Sequence, residues 1–132
     1  MCKVAVFQRT KLLWIMLIIV ALLVLSLSSV GAASWSKDKW ASCSSGVPQG
    51  LGWVLWSGYP FYSSQYVTIN FFWWDGSNWL IMGADTSGWV FGGSGYAEAY
   101  NSVSYHSGSW QMPTRWEGSI VNTSEFPFFS CS

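Results

Sequence analysis

Residues 65–74 read Gln-Tyr-Val-Thr-Ile-Asn-Phe-Phe-Trp-Trp. In an extended chain Val67, Ile69, Phe71 and Trp73 fall on one face. Tyr66, Thr68, Asn70, Phe72 and Trp74 fall on the other. A period of two, carried by β-branched and aromatic residues, predicts a strand with large rings on both faces. Asp75-Gly76-Ser77-Asn78 then has the composition of a hairpin loop, with a glycine free to take positive φ. Trp79 to Ala84 is predicted as the returning partner strand.

The same punctuation continues outward. Asp85-Thr86-Ser87-Gly88 turns the chain before a strand starting Trp89-Val90-Phe91, and Gly92-Gly93-Ser94-Gly95 turns it again. Tyr96 to Tyr105 alternates throughout, His106 to Ser109 is a turn, and a short run from Trp110 ends at Pro113. Arg115 to Asn122 is a further strand. Upstream, Leu51 to Trp56 is a strand running into the loop Ser57-Gly58-Tyr59-Pro60. Three turns deliver a Trp as the first strand residue: Trp79, Trp89 and Trp110. No stretch after residue 33 keeps helical spacing over three turns. The expected fold is all-β, a small antiparallel β-sandwich or barrel built as a meander of about 6–8 short strands.

The first 33 residues differ in kind. Lys3, Arg9 and Lys11 make a basic start, Leu12 to Leu27 is an almost unbroken apolar run, and Ser28, Ser29, Gly31, Ala32 and Ala33 are small. These are the three parts of a secretory signal peptide, here an apolar signal helix over residues 1–33. Gly31 and Ala33 suit the positions before a cleavage that leaves Ser34 first; Val30 and Ala32 would leave Ala33. The alternative is an uncleaved signal anchor, because Leu12 to Val30 is 19 residues, about the length that crosses a hydrocarbon core. The basic flank would hold the N-terminal side inside. Either way residues 34–132 are expected outside the cytoplasm, secreted or held at the membrane, as one domain.

Removing the leader changes the charge. The whole chain has six basic and six acidic residues. Beyond residue 33 remain Lys37, Lys39 and Arg115 against Asp38, Asp75, Asp85, Glu98, Glu117 and Glu125, which is 3 − 6 = −3. Nucleic acid is excluded as a partner, since phosphate neutralisation dominates that affinity. The cationic peptides that seek anionic bilayers are a poor match too. Of three cysteines, Cys2 lies in the leader, and Cys43 and Cys131 remain near the two ends of the domain. An even pair in an exported protein predicts a disulfide. It would close a loop of 88 residues. In the chain-entropy account such a loop is worth up to about 4.5 kcal/mol.

Catalytic chemistry is not indicated. The single histidine, His106, lies in a predicted turn, and Gly93-Ser94-Gly95 lacks the strand-to-helix setting of a nucleophile elbow. No His, Cys or carboxylate spacing suggests a metal site, and no cofactor is implied. Glu98 and Glu117 are the only pair worth weighing for glycoside hydrolysis, and the plainer reading is two solvent-facing strand residues.

Aromatic content carries the functional reading. Ten Trp, six Tyr and seven Phe lie beyond residue 33. An interior built from about a hundred residues cannot hold that many rings, since each buries roughly 150–250 Å². One expected site is the strand face carrying Tyr66, Asn70, Phe72 and Trp74, beside Tyr96, Glu98 and Tyr100. Rings there would stack on sugars while amide and carboxylate groups bind hydroxyls. A second is the segment with Trp53, Trp56, Tyr59, Phe61 and Tyr62, an aromatic loop suited to a membrane interface. Asn122-Thr123-Ser124 fits the N-glycosylation acceptor pattern at Asn122. The expected function is a secreted binding protein that recognises glycan or a cell surface. The alternatives are a membrane-active toxin or bacteriocin-like protein, and a structural surface or envelope component that self-associates through low-charge faces.

Overall fold

The computed structural model describes residues 3–27 and 31–132, with helix side chains described from 10 to 23. Cys2, Ser28, Ser29 and Val30 of the predicted leader lie outside the described residues, and Lys3 and Arg9 outside the described side chains. The chain divides between Ala32 and Ala33 into two compact units. The first holds one helix, α1 (Lys3–Leu27), whose apolar side chains from Leu12 to Leu23 are exposed. Among the described residues no helix is long and apolar enough to cross a membrane.

The second unit is all-β and antiparallel, with curled sheets forming a half-barrel. Three strands make sheet A: β1 (Ser34–Ser44), β2 (Val47–Ser57) and, further along, β6 (Gly95–Ser102), in the order β1-β2-β6. Ser45 and Gly46 take φ of 50° and 79°, the left-handed pair that a two-residue hairpin turn needs. That turn sets eleven residues of β1 against eleven of β2, from Ser34↔Ser57 to Ser44↔Val47.

Sheet B is organised around β3 (Ser64–Trp74). Its partners are β4 (Trp79–Thr86), β5 (Val90–Phe91), β7 (Gly108–Gln111) and β8 (Thr114–Gly118). The edge strands are β4 and β5 on one side of β3 and, on the other, β9 (Thr123–Glu125) against β8 and β10 (Phe128–Cys131) against β7. Pro113 separates β7 from β8, and Pro127 separates β9 from β10. A proline cannot donate to a ladder, so each strand is interrupted there. The prolyl carbonyls bridge the gaps: Asn70 N–H donates to Pro113 O at 3.0 Å and Met112 N–H to Pro127 O at 2.9 Å.

The alternating reading of residues 65–74 holds, since Val67, Ile69 and Phe71 are fully buried. The count and order of strands differ from expectation. Ten strands are described, not six to eight, because β1, β9 and β10, which carry no strong apolar alternation, add to the expected runs. A simple meander is also overturned. β6 leaves its sequence neighbours to pair with β2, and β3 is bonded to strands on both sides.

Between these sheets lie Trp56, Trp110, Trp116, Phe71, Ile69, Met112, Val54 and Val67. Each buried indole N–H has a carbonyl partner: Gly92 O at 2.9 Å for Trp56, His106 O at 2.8 Å for Trp110, and Trp53 O at 2.9 Å for Trp116. Gln65, fully buried, donates to Val121 O at 2.9 Å and accepts from Val121 N at 3.1 Å. A ring core therefore carries its polar atoms without leaving them unpaired, which would cost about 1–3 kcal/mol each.

Side chains join the two sheets along two seams. At one, Asp85 Oδ2 accepts the Tyr100 N–H at 2.9 Å, and Asn101 Nδ2 donates to Ala84 O at 3.0 Å. At the other, Cys43 of β1 and Cys131 of β10 stand at disulfide distance, with Cα atoms 5.3 Å apart. Beside them Lys37 and Lys39 both pair with Glu125 of β9, and Lys37 Nζ sits 4.0 Å above the Trp116 ring. Both lysines hold the Glu125 carboxyl below its ordinary range, the Lys37 bond contributing most.

Candidate functional site

Thirteen of the 23 aromatic rings beyond residue 33 are exposed, so the aromatic excess is a surface property as well as a core one. Many of the exposed rings lie on the outer faces of the two sheets, and antiparallel register shows which side chains share a row.

On sheet A, inward positions of β2 are small or buried: Gly50, Gly52, Val54 and Trp56. Gly52 lets β2 lie close to sheet B. A Cβ there would meet Thr114 Cγ2 at 2.6 Å and Ile69 Cγ2 at 3.3 Å. The outward residues of β2 are then Gln49, Leu51, Trp53 and Leu55. Directly opposite Trp53 stand Asp38 of β1 on one side and Glu98 of β6 on the other. Residues paired in this way share a face, with Cβ atoms about 4.5–5.5 Å apart. The half-buried Trp53 indole is therefore a platform flanked by two exposed carboxylates.

The rows on either side add more rings. Tyr96, opposite Leu55, stacks on Trp53 with centroids 6.3 Å apart and planes at 28°. Trp40 and Tyr100, both opposite Leu51, meet at 6.4 Å above it. The Tyr100 hydroxyl reaches Gln49 Oε1 at 3.4 Å. The Tyr96 hydroxyl donates to Glu98, and that bond pushes its pKa up to about 12. From Tyr96 to Tyr100 the face runs about 13 Å along the strand, four residues at the usual rise. Beyond the Leu55 row it opens on a cleft of about 270 Å³ lined by Ser34, Trp35, Ser36, Leu55 and Trp56.

On sheet B the outer face has two ends. Near the Asp75 turn Trp74 and Trp79 are paired in register with rings 5.3 Å apart, and Trp79 lies 6.0 Å from Phe128. The next row runs Ile81, Phe72, Gln111 and Phe128. Neither row holds a charge. At the other end Tyr66 packs against Trp89 at 5.3 Å, and Trp89 is followed by Phe91 at 6.4 Å. Asn70 stands between the two ends on β3, half-buried.

The sequence-derived sites are thus redistributed. Tyr96, Glu98 and Tyr100 lie together on sheet A, while Tyr66, Asn70 and Trp74 lie on sheet B. The expectation that they form one face does not survive the pairing of β6 with β2. Trp53, first read as part of a membrane loop, is the centre of the sheet A face. Trp56 is 2% exposed and hydrogen-bonded, a core residue that no bilayer can touch. Tyr59 packs against the core, and only Phe61 and Tyr62, 85% and 71% exposed, protrude. Asn122 is exposed just before β9.

Asp38, Trp40 and Gln49 were missed. Their signal was the alternation of Trp40, Asp38 and Ser36 in a polar strand, which has meaning only once β2 is known to lie beside it. Glu117 sits opposite Tyr66 on sheet B and pairs with Arg115 at 3.5 Å, so it and Glu98 belong to different sheets. Among the described residues no three His, Cys, Asp or Glu side chains gather where they could hold a metal ion. Neither protein-family models nor curated proteins give a match to this chain.

Proposed function

We propose that residues 1–33 direct export and that residues 34–132 form a secreted domain which binds glycan, free or on a cell surface, through the outer face of sheet A. The carrying observation is the row Asp38–Trp53–Glu98. An indole offers an apolar face to the C–H side of a sugar ring, and carboxylates on both sides accept hydroxyl hydrogen bonds. Tyr96, Tyr100 and Trp40 extend the stacking surface to a length that suits two or three sugar residues. The protein needs no catalytic group for this role.

Support for export comes from the sequence pattern and from the place where β1 begins. Residues 31–33 are exposed and irregular, and the ladder starts at Ser34. A cut after Ala33 would remove no strand residue. The mass of the mature chain tests it: a first residue of Ser34 or Ala33 supports a cleaved signal, and an intact N-terminus supports the anchor.

The binding reading is tested on a glycan array with the full chain and with Trp53→Ala. Signal on a defined glycan class that Trp53→Ala removes is the expected result. No signal above background, or signal that survives Trp53→Ala, counts against it.

A second reading draws on the uncharged end of sheet B. Trp74, Trp79, Ile81 and Phe128 are all exposed there and adjoin one another. Such a patch favours self-association into a surface layer. Sedimentation at rising concentration tests it, and a single monomer boundary throughout would dismiss it.

A further inference from the structure

Resting on the glycan-platform reading, we infer that the Trp53 face prefers sugars carrying a free ammonium group over neutral or N-acetylated ones. The inference starts from where the charges go. Residues 33–132 contain three basic side chains, and all three are engaged away from this face. Lys37 and Lys39 point inward from β1 and share Glu125, while Arg115 pairs with Glu117 on sheet B. Asp38 and Glu98 stand opposite Trp53 with no basic residue in their row or in the outward-facing rows on either side.

Each carboxylate is held in place by a bond that uses one oxygen. Asp38 Oδ1 accepts the Lys39 N–H at 2.8 Å, and Glu98 Oε2 accepts the Tyr96 hydroxyl. An ionised carboxylate has about four acceptor sites, so both retain capacity for a ligand. The rings add to the same preference. Trp and Tyr faces carry negative potential, and a cation within about 6 Å of a centroid is attracted to them. Rings alone would serve neutral sugars equally well. Carboxylates alone would serve any solvated cation. Together, in adjacent rows of one sheet, they fit a flat sugar ring whose substituent is an amine.

The full chain is titrated with three probes at low salt and mildly acidic pH, where sugar amines are charged. The probes are a β-1,4-linked glucosamine hexamer, its fully N-acetylated form and a β-1,4-linked glucose hexamer. Two exposed ion pairs should favour the amine probe by about ten-fold. That advantage should shrink as salt shortens the Debye length below about 10 Å. The double variant Asp38→Asn, Glu98→Gln should bring the three probes within two-fold of one another. Equal affinity of the unmodified chain for all three, or an amine preference that survives in the double variant, overturns the inference and leaves the platform reading standing. A chain that binds none of these probes and nothing on the array overturns both.

Discussion

The outer faces of the two sheets use the same rings to different ends. On sheet A every aromatic residue has a polar neighbour in register or in the next row: Trp53 has Asp38 and Glu98, Tyr96 has Glu98, and Tyr100 has Gln49. On sheet B, near the Asp75 turn, rings have rings: Trp74 beside Trp79, Trp79 beside Phe128, and Ile81 opposite Phe72. Ring count would rate the two faces alike. Register separates them, because it decides whether a ring's neighbour can accept a hydrogen bond. A face of the first kind can orient a hydroxylated ligand. One of the second kind, where Gln111 is the polar member between Phe72 and Phe128, acts chiefly by excluding water, which is non-directional.

The strongest way to break this comparison is to exchange the roles of its two central indoles. Trp53→Ala is expected to weaken glycan binding about thirty-fold or more, as for a central aromatic anchor, and Trp74→Ala to leave it within two-fold. Binding isotherms of both variants, with circular dichroism to confirm the fold, check this; the opposite ranking would move the site to sheet B. Next in size is Gly52→Ala. The added Cβ would press on Thr114 and Ile69 and push β2 outward beneath Trp53. Overpacking of this kind costs about 1–3 kcal/mol, so the urea midpoint should fall. The corresponding change on sheet B, Ala84→Gly at an exposed position, should matter less.

Smaller effects come from two ionisable groups. Glu125 has its pKa lowered in the folded state by Lys37 and then Lys39. A depressed carboxyl stabilises the fold above its unfolded value, and that contribution disappears as pH falls below about 4.5 through the folded value. Denaturation midpoints should therefore drop on acidification, and Glu125→Gln should flatten the slope. Because the Glu125 side chain is 36% exposed, solvent screens the pair and the gain is modest. Smallest is the signature of Tyr96. Its hydroxyl is raised to about 12 by the bond to Glu98, so the contribution of that bond is complete below pH 10 and fades as pH rises through about 12. An ultraviolet tyrosinate titration should show one late-ionising group that Tyr96→Phe removes.

Much of sheet B was readable in the sequence. The alternation of Val67, Ile69 and Phe71 against Tyr66, Thr68 and Asn70 marks a strand by itself, and Asp75-Gly76-Ser77-Asn78 marks the turn that follows. Here Asp75 Oδ1 accepts the Ser77 and Asn78 N–H groups at 2.7 Å each, a local bond that composition foretells. Sheet A was less legible. In β1 the inward residues include Lys37 and Lys39, whose partner Glu125 lies 88 and 86 residues further on. The platform needs three strands drawn from residues 34–44, 47–57 and 95–102. No local pattern records which residue of one stands opposite which of another. Pro113 ends the run from Trp110 as its sequence predicts; what no local pattern records is that the Pro113 and Pro127 carbonyls accept hydrogen bonds across the breaks.

The Cys43–Cys131 link has a mechanical meaning. It joins the first strand to the penultimate residue of the chain. A pull applied between residue 33 and residue 132 would run along residues 34–43, cross the sulfur bridge and leave at Ser132. Only β1 as far as Cys43 would bear load, peeling from β2. The strands between the two cysteines, including β2 with Trp53 and β6 with Glu98, would feel almost none. Such a pull would strip Asp38 and Trp40 from the outer face of sheet A while Trp53 and Glu98 stayed in place.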